Sequence, residues 1–203
     1  MRFLKVFLSC ALAINYLIAD ETEEIISVAS YIDSGELSAS PVDVISAEEF
    51  KNLRVSSVAE LSKYLSVASG SHFQTNALDG VDQGMAAITL RGMDHASTLV
   101  LINKKRQTYA GTPSHEGEGY IDVNIIPEIA LERVEILKDG ATSLYGSDAV
   151  AGVINFHTYH AFDGLRISAS SQKTSNYSQK DNSIGLLYGG EALDGQYVFA
   201  VSA

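Results

Sequence analysis

Tryptophan is absent from this 203-residue chain, and cysteine occurs once, at Cys10. A single cysteine makes no internal disulfide and no thiolate metal site. Basic residues are few: 14 Lys and Arg stand against 25 Asp and Glu, a formal charge of −11. A nucleic-acid partner is excluded, because it would need a basic face. No G-x-G-x-x-G or G-x-x-x-x-G-K-[ST] run occurs, which excludes a phosphate cradle. Neither H-E-x-x-H nor G-x-S-x-G is present, so the zinc-protease and nucleophile-elbow signatures are missing too. No internal repeat and no low-complexity run occur. Hydrophobic residues make up 46%, which argues against wholesale disorder.

The chain opens with Arg2 and Lys5, followed by a short apolar run over 6–14. Asn15 and Tyr16 interrupt that run, well short of the roughly 20 apolar residues of a membrane-spanning helix. With Ala19 as the small residue at the cleavage point, residues 1–19 read as a secretory signal. Cys10 lies too early in the run for a lipoprotein cleavage site. Loss of the signal leaves no cysteine, which suits an oxidising compartment.

Further along, Pro41-Val42-Asp43-Val44-Ile45 predicts a short strand. Ser46-Ala47-Glu48-Glu49 is a capping box that opens a helix near Phe50. Residues 57–65 predict a second amphipathic helix. Val58, Leu61 and Leu65 share one face; Glu60 and Lys63 lie on the other. Residues 71–87 read as a polar loop and 88–91 as a strand. Leu99-Val100-Leu101-Ile102 is nearly all apolar, the pattern of a central, buried strand. Asn103 and Lys104 turn the chain, and 107–119 is a long polar loop.

The stretch 125–158 organises the rest. Pro127 suits the first turn of a helix. Arg133, Val134, Glu135 and Ile136 alternate polar and apolar, the period of a half-buried strand. Asp139-Gly140 is a turn signal. Residues 141–145 allow about one helical turn, with Gly146 as its left-handed cap. Residues 147–151 repeat the pattern and Gly152 stops it; 153–158 then reads as a second strand. The expected turn and packing positions are Gly92, Gly140, Tyr145, Gly146, Gly152 and Asn155.

Pro127, Leu131-Glu132-Arg133-Val134-Glu135-Ile136-Leu137-Lys138, Gly140-Ala141, Leu144-Tyr145-Gly146 and Gly152-Val153-Ile154-Asn155 together resemble the end of the plug domain of TonB-dependent outer-membrane receptors. A second matching block is Ile88-Thr89-Leu90-Arg91-Gly92-Met93 followed by Thr98-Leu99-Val100-Leu101-Ile102-Asn103. Two long blocks in the right order make a specific signal. Lys104 departs from the pattern, which has Gly after the Asn.

The resemblance implies an α+β plug domain over 40–159, a small mixed sheet with short helices. The first antiparallel strands of an outer-membrane β-barrel follow over 160–203. Three alternating segments support the second part: Leu165, Ile167 and Ala169; Ile184, Leu186 and Tyr188; Tyr197, Phe199 and Val201. A soluble antiparallel sheet would alternate in the same way. The links, 172–182 long and 192–195 tight, follow the outer-membrane habit. A barrel that holds a plug needs about 22 strands, so the chain reads as the front portion of a longer receptor.

By the same resemblance, Glu24-Ile25-Ile26-Ser27-Val28-Ala29-Ser30 looks like a TonB box, within a TonB-box and linker segment over 20–39. Such a box is offered as an added strand to the periplasmic TonB energy-transducing protein. The nutrient partner would be an iron–siderophore complex or cobalamin. Arg91, Arg133 and Glu135 are the expected plug–barrel contacts, since buried charges need partners. Asp94, His95 and His115 are candidate ligand contacts on loops. His157 and His160 read as strand-end or surface histidines rather than metal ligands. A triad of Asp139 with Ser143 or Ser147 lacks a neighbouring histidine in sequence, so no enzyme, cofactor or metal is expected. The rival readings are a free periplasmic plug-like binding module and a non-functional receptor fragment.

Overall fold

The computed structural model describes residues 42–53, 55, 57–73, 84–114, 117–173, 180–192 and 195–203. The expected signal, TonB box and linker, and His115, lie outside them. The strands in chain order are β1 (Val42–Ser46), β2 (His72–Phe73), β3 (Ala86–Ala87), β4 (Thr98–Ile102) and β5 (Lys105–Arg106). β6 (Leu131–Leu137), β7 (Gly152–Thr158), β8 (Gly164–Lys173), β9 (Lys180–Ala192) and β10 (Gly195–Ser202) follow. The described residues also form two α-helices, α1 (Ala47–Leu53) and α2 (Thr142–Tyr145), and several 3₁₀ turns.

β6 and β7 pair antiparallel at the middle of a five-stranded sheet of order β1-β6-β7-β4-β5. β1 adds antiparallel to β6, β4 parallel to β7, and β5 antiparallel to β4, so the sheet is mixed. Side chains alternate across it. Val100, Val134, Ile136, Ile154 and Phe156 face one way, onto Phe50, Val58, Leu61, Leu90 and Val123. Leu99, Leu101, Leu137 and Val153 face the other way, onto Ala141 and Ala149. The first layer is covered by α1 and the 3₁₀ helix Val58–Tyr64, the second by α2 and the 3₁₀ turn Ser147–Ala149.

Several expectations hold locally. The capping box forms reciprocally: Ser46 N–H donates to Glu49 Oε2 at 3.0 Å and Glu49 N–H to Ser46 Oγ at 3.3 Å. Asn103 (φ 51°) and Lys104 (φ 64°) make the two-residue turn between β4 and β5, both left-handed as a type I′ hairpin requires. The Asn103 side chain bonds Thr158 twice, and Asn155 Oδ1 accepts from Lys104 N–H. The lysine is therefore held in a conformation that glycine would adopt freely.

Others change. Residues 88–91 are not a strand. Thr89 N–H donates to Ser71 Oγ and Leu90 N–H to Thr98 Oγ1, so side chains take the donors a ladder would need. Arg91 and Gly92 then turn away at φ 61° and 65°. The segment 57–65 winds as a 3₁₀ helix, yet buries Val58 and Leu61 and exposes Lys63 as expected. Within the loop expected at 71–87, β2 and β3 pair. β4 is not the central strand; it sits beside the central β7 and is buried all the same. Pro127 stands just before the 3₁₀ turn Glu128–Ala130 rather than inside a helical turn. Gly146 has φ 86° with ψ −169°, a glycine-only region distinct from the left-handed helical one. Gly152 begins β7 at φ 143°, and a Cβ there would collide with the Leu137 carbonyl and with Leu90 Cδ1, the latter at 2.7 Å.

β8, β9 and β10 form a separate antiparallel meander. β8 reaches Lys173 and β9 begins at Lys180, while the links 174–179 and 193–194 lie outside the described residues. One face presents Leu165, Ile167, Ile184, Tyr188, Tyr197, Phe199 and Val201, each at least 41% exposed. The opposite face of β9 carries Gly185, Leu187 and Gly189, all buried. A Cβ on Gly185 would lie 3.3 Å from Ile129, and one on Gly189 would strike the Phe162 carbonyl. The turn Glu128–Ala130 is what meets β9 and β10.

Replacing Lys104 by Gly should raise unfolding stability by about 1 kcal/mol, the cost of one left-handed non-glycine residue. Gly152→Ala should lower it by about 3 kcal/mol, the upper end for overpacking. Urea denaturation of the two variants against the parent chain checks both signs.

Candidate functional site

Polar groups collect on the α2 side of the central ladder. Register places Arg133 opposite His157 and Glu135 opposite Asn155, so four polar side chains share one face of β6 and β7. Glu135 and Asn155 are 0% exposed and His157 is 4% exposed. Arg133 Nε donates to Glu135 Oε1 at 3.1 Å, and His157 Nε2 lies 3.1 Å from the same oxygen. Asn155 Nδ2 lies 3.4 Å from Glu135 Oε2 and 2.7 Å from His157 Nε2. A carboxylate buried this fully stays in the fold only with such partners. Arg133 keeps 22% of its side chain exposed and also approaches Glu132 at 3.6 Å.

Arg91 lies elsewhere. Its guanidinium donates to the Lys138 carbonyl and, at 3.1 Å, to Asp139 Oδ1. That ties the positive-φ turn before β4 to the turn after β6. Lys138 Nζ in turn reaches Asp43 Oδ2 at 2.5 Å, so β1 joins the same corner. Both ion pairs are largely exposed, so each contributes little. Arg106 caps the other side of the sheet: it donates to the Tyr145 carbonyl and to Asp148 at 2.6 Å.

The loop candidates separate into two kinds. Asp94 precedes the 3₁₀ turn His95–Ser97 and accepts from Ser97 Oγ at 2.5 Å. His95 meets the buried Tyr120 edge-on, with ring centroids 6.5 Å apart. Around them, Ala110 N–H donates to the Tyr120 carbonyl and Ser114 N–H to the Glu118 carbonyl, which holds 110–114 beside 118–120. Asp139 is engaged by Arg91, and Ser147 Oγ donates to Asp148, so neither belongs to a triad. Among the described residues no group of three or more His, Cys, Asp or Glu side chains is placed to hold a metal.

His157 corrects the sequence reading. It is no surface histidine but a buried neighbour of Glu135, while His160 is exposed. The sign was available in the alternation. Once β6 and β7 pair antiparallel, position 157 shares a face with 155 and with Glu135.

Removing one member of this group should be costly. Arg133→Met leaves the Glu135 carboxylate without its permanent cation, at a cost of about 3 kcal/mol. The double change Arg133→Met with Glu135→Leu should recover most of that loss. A double-mutant cycle by urea denaturation measures the coupling; simple additivity would mean that the two side chains act separately.

The sequence profile of the TonB-dependent Receptor Plug Domain matches residues 36–153. Among curated relatives, an Iron-regulated outer membrane virulence protein of Vibrio cholerae is 31% identical over 153 residues, covering 75% of this chain and 22% of its own length. The Ferric enterobactin receptor PirA of Pseudomonas aeruginosa is 30% identical over 151 residues, covering 72% and 20%. The Vitamin B12 transporter BtuB of Vibrio vulnificus is 28% identical over 158 residues, covering 71% and 25%. The chain thus spans about a fifth to a quarter of these relatives' lengths. In fold it is similar to the crystal structure of the siderophore receptor PirA from Acinetobacter baumannii, with TM-score 0.56 and 24% identity over 79% of this chain and 24% of that one. It is also similar to a variant ferric enterobactin receptor from Pseudomonas aeruginosa, with TM-score 0.61 and 20% identity over 81% and 24%. With its motif blocks carried on β4, β6 and β7 and over half its length matched by the profile, this chain belongs to the family of TonB-dependent receptor plug domains.

Proposed function

We propose that this chain supplies the plug and the first wall strands of a TonB-dependent outer-membrane receptor, one that takes up an iron–siderophore complex or cobalamin. The observation that carries the reading is the polarity of the meander. Its glycine-bearing face lies against Ile129 of the turn Glu128–Ala130, and its seven large apolar side chains point outward. A wall strand between a plug and lipid needs that arrangement. The names of the relatives support the nutrient class.

In this reading residues 40–159 are the plug and 160–203 the start of the barrel. The N-terminus and plug face the periplasm. Residues 24–30 add as a strand to the TonB energy-transducing protein, which gives affinity through backbone bonds. Energy delivered there rearranges the plug and admits the nutrient, with no covalent step. Arg91 and Arg133 are the plug side of the plug–wall contact: Arg133 because its guanidinium stays partly open beyond Glu135, Arg91 because its guanidinium stands at the sheet corner. Asp94, His95 and His115 are the proposed nutrient-facing loop residues.

Disrupting the gene for this chain should remove uptake of one iron–siderophore complex or of cobalamin by whole cells. Unchanged uptake of every nutrient tried from both classes would overturn the receptor reading. Ile26→Pro removes a backbone donor from the proposed box. It should abolish pull-down by the energy-transducing protein and leave nutrient binding intact; pull-down at parental strength would move the box elsewhere.

A further inference from the structure

The seam between plug and meander carries an unbalanced carboxyl group. Glu128 opens the 3₁₀ turn Glu128–Ala130, the element that meets β9 and β10. Beside it, Ile129 packs at Gly185, where there is room for no Cβ. Glu128 Oε2 is covered from solvent and has no hydrogen-bond partner, and across the seam the same holds for Ser168 Oγ. The charge of another carboxylate, Glu60 on the 3₁₀ helix Val58–Tyr64, disfavours the ionised form of Glu128 further. Glu60 has its own cation, Lys63, at 2.8 Å. β10 carries no titratable side chain but Tyr197, β9 has its charged residues only at positions 180, 181 and 191, and β8 carries Arg166 and, at its far end, Lys173. Arg166 of β8 lies over the rings of Tyr159 and Phe162.

We propose that Glu128, with its buried and unpartnered carboxyl oxygen, makes the seam between the turn Glu128–Ala130 and the meander a proton-sensitive contact, tighter when Glu128 is protonated. A neutral Glu128 relieves the repulsion and gains an O–H donor where its buried oxygen has no partner. Burial first, and the Glu60 charge second, push the Glu128 carboxyl from 4.5 up to about 6. Between those two values the folded chain holds more protons than the unfolded one. The seam is therefore weakened above about pH 6 and gains strength as the pH falls through that value toward 4.5. Half of Glu128 is near water, which keeps the effect below the full linkage. The proposal concerns this contact and goes beyond transport, so it stands or falls apart from the receptor reading.

The test uses the full chain in detergent micelles, with two readouts by NMR. One is the titration of the Glu128 side-chain carboxyl carbon. The other is the exchange protection of the Tyr159 amide, which donates to the Ala130 carbonyl at 3.0 Å and reports how firmly this turn is held. In the parent, Glu128 should titrate near 6, and protection should rise by roughly three- to tenfold between pH 7.5 and 5. Glu128→Gln should show the higher protection at every pH. Glu60→Gln should lower the Glu128 midpoint but leave it raised, because burial is the larger cause. Titration of Glu128 in the ordinary range, or equal pH profiles of protection in the parent and Glu128→Gln, would overturn the proposal. So would a Glu128 midpoint unmoved by Glu60→Gln.

Discussion

The antiparallel ladder of β6 and β7 is the constraint on which the rest of the structure depends. It fixes both faces of the sheet at once. Val134, Ile136, Ile154 and Phe156 go to the main core, and Arg133, Glu135, Asn155 and His157 go to the other side. Because the side-chain period is two, a slip of one residue would exchange these sets. It would put two charges into the apolar layer and four large hydrophobes into the polar one. Every other strand of the sheet is attached to this pair. β1 reads its register from β6, and β4 reads its register from β7. The β4–β5 hairpin is then pinned back onto β7 through Asn103, Thr158 and Asn155.

The buried carboxylate sharpens this specification at some cost. Taking Glu135 out of water costs several kcal/mol, and its attraction to Arg133 repays that only with good geometry. Here one oxygen faces both Arg133 Nε and His157 Nε2, and the other faces Asn155. Each partner comes from a fixed position on the ladder rather than from a loop. The group therefore contributes less to net stability than to excluding the wrong pairing, in which the carboxylate would be left alone. The exposed ion pairs at the sheet corner, Arg91 with Asp139 and Lys138 with Asp43, are of the weak surface kind. Their value is positional: they join the first strand, the turn before β4 and the end of β6.

Much of the fold was legible because it is local. Period-two alternation marks β6 and the three meander strands, β-branched and aromatic residues mark β7, and the Ser46–Glu49 box marks the start of α1. The family motifs lie on the same elements, so resemblance and periodicity agree. What sequence could not tell was decided between distant segments. The strand expected at 88–91 loses its ladder because Ser71 and Thr98, far apart in sequence, claim its donors. The helix at 57–65 tightens to a 3₁₀ form while keeping the same buried face. His157 looked like a surface histidine because its neighbours in sequence, Thr158 to His160, are polar; its neighbours in space are Glu135 and Asn155. Glu128 gave no local signal, since its character comes from burial in the folded chain and from Glu60, both set by distant segments.

The meander inverts the usual economy of a two-faced sheet. In water, the hydrophobic effect would turn the face bearing Leu165, Ile167, Phe199 and Val201 toward the plug and leave the glycine-rich face outside. A contiguous apolar stripe of this kind is rare on a soluble monomer. Sequence prevents the flip in two ways. Gly185 and Gly189 are what let β9 approach Ile129 and Phe162, and no larger residue fits at either place. Among the described elements, the plug meets β9 and β10 chiefly through the short turn Glu128–Ala130, too little surface to cover seven large side chains. The outward face must then find its apolar partner elsewhere, and the bilayer of the proposed receptor is a medium in which that exposure carries no cost.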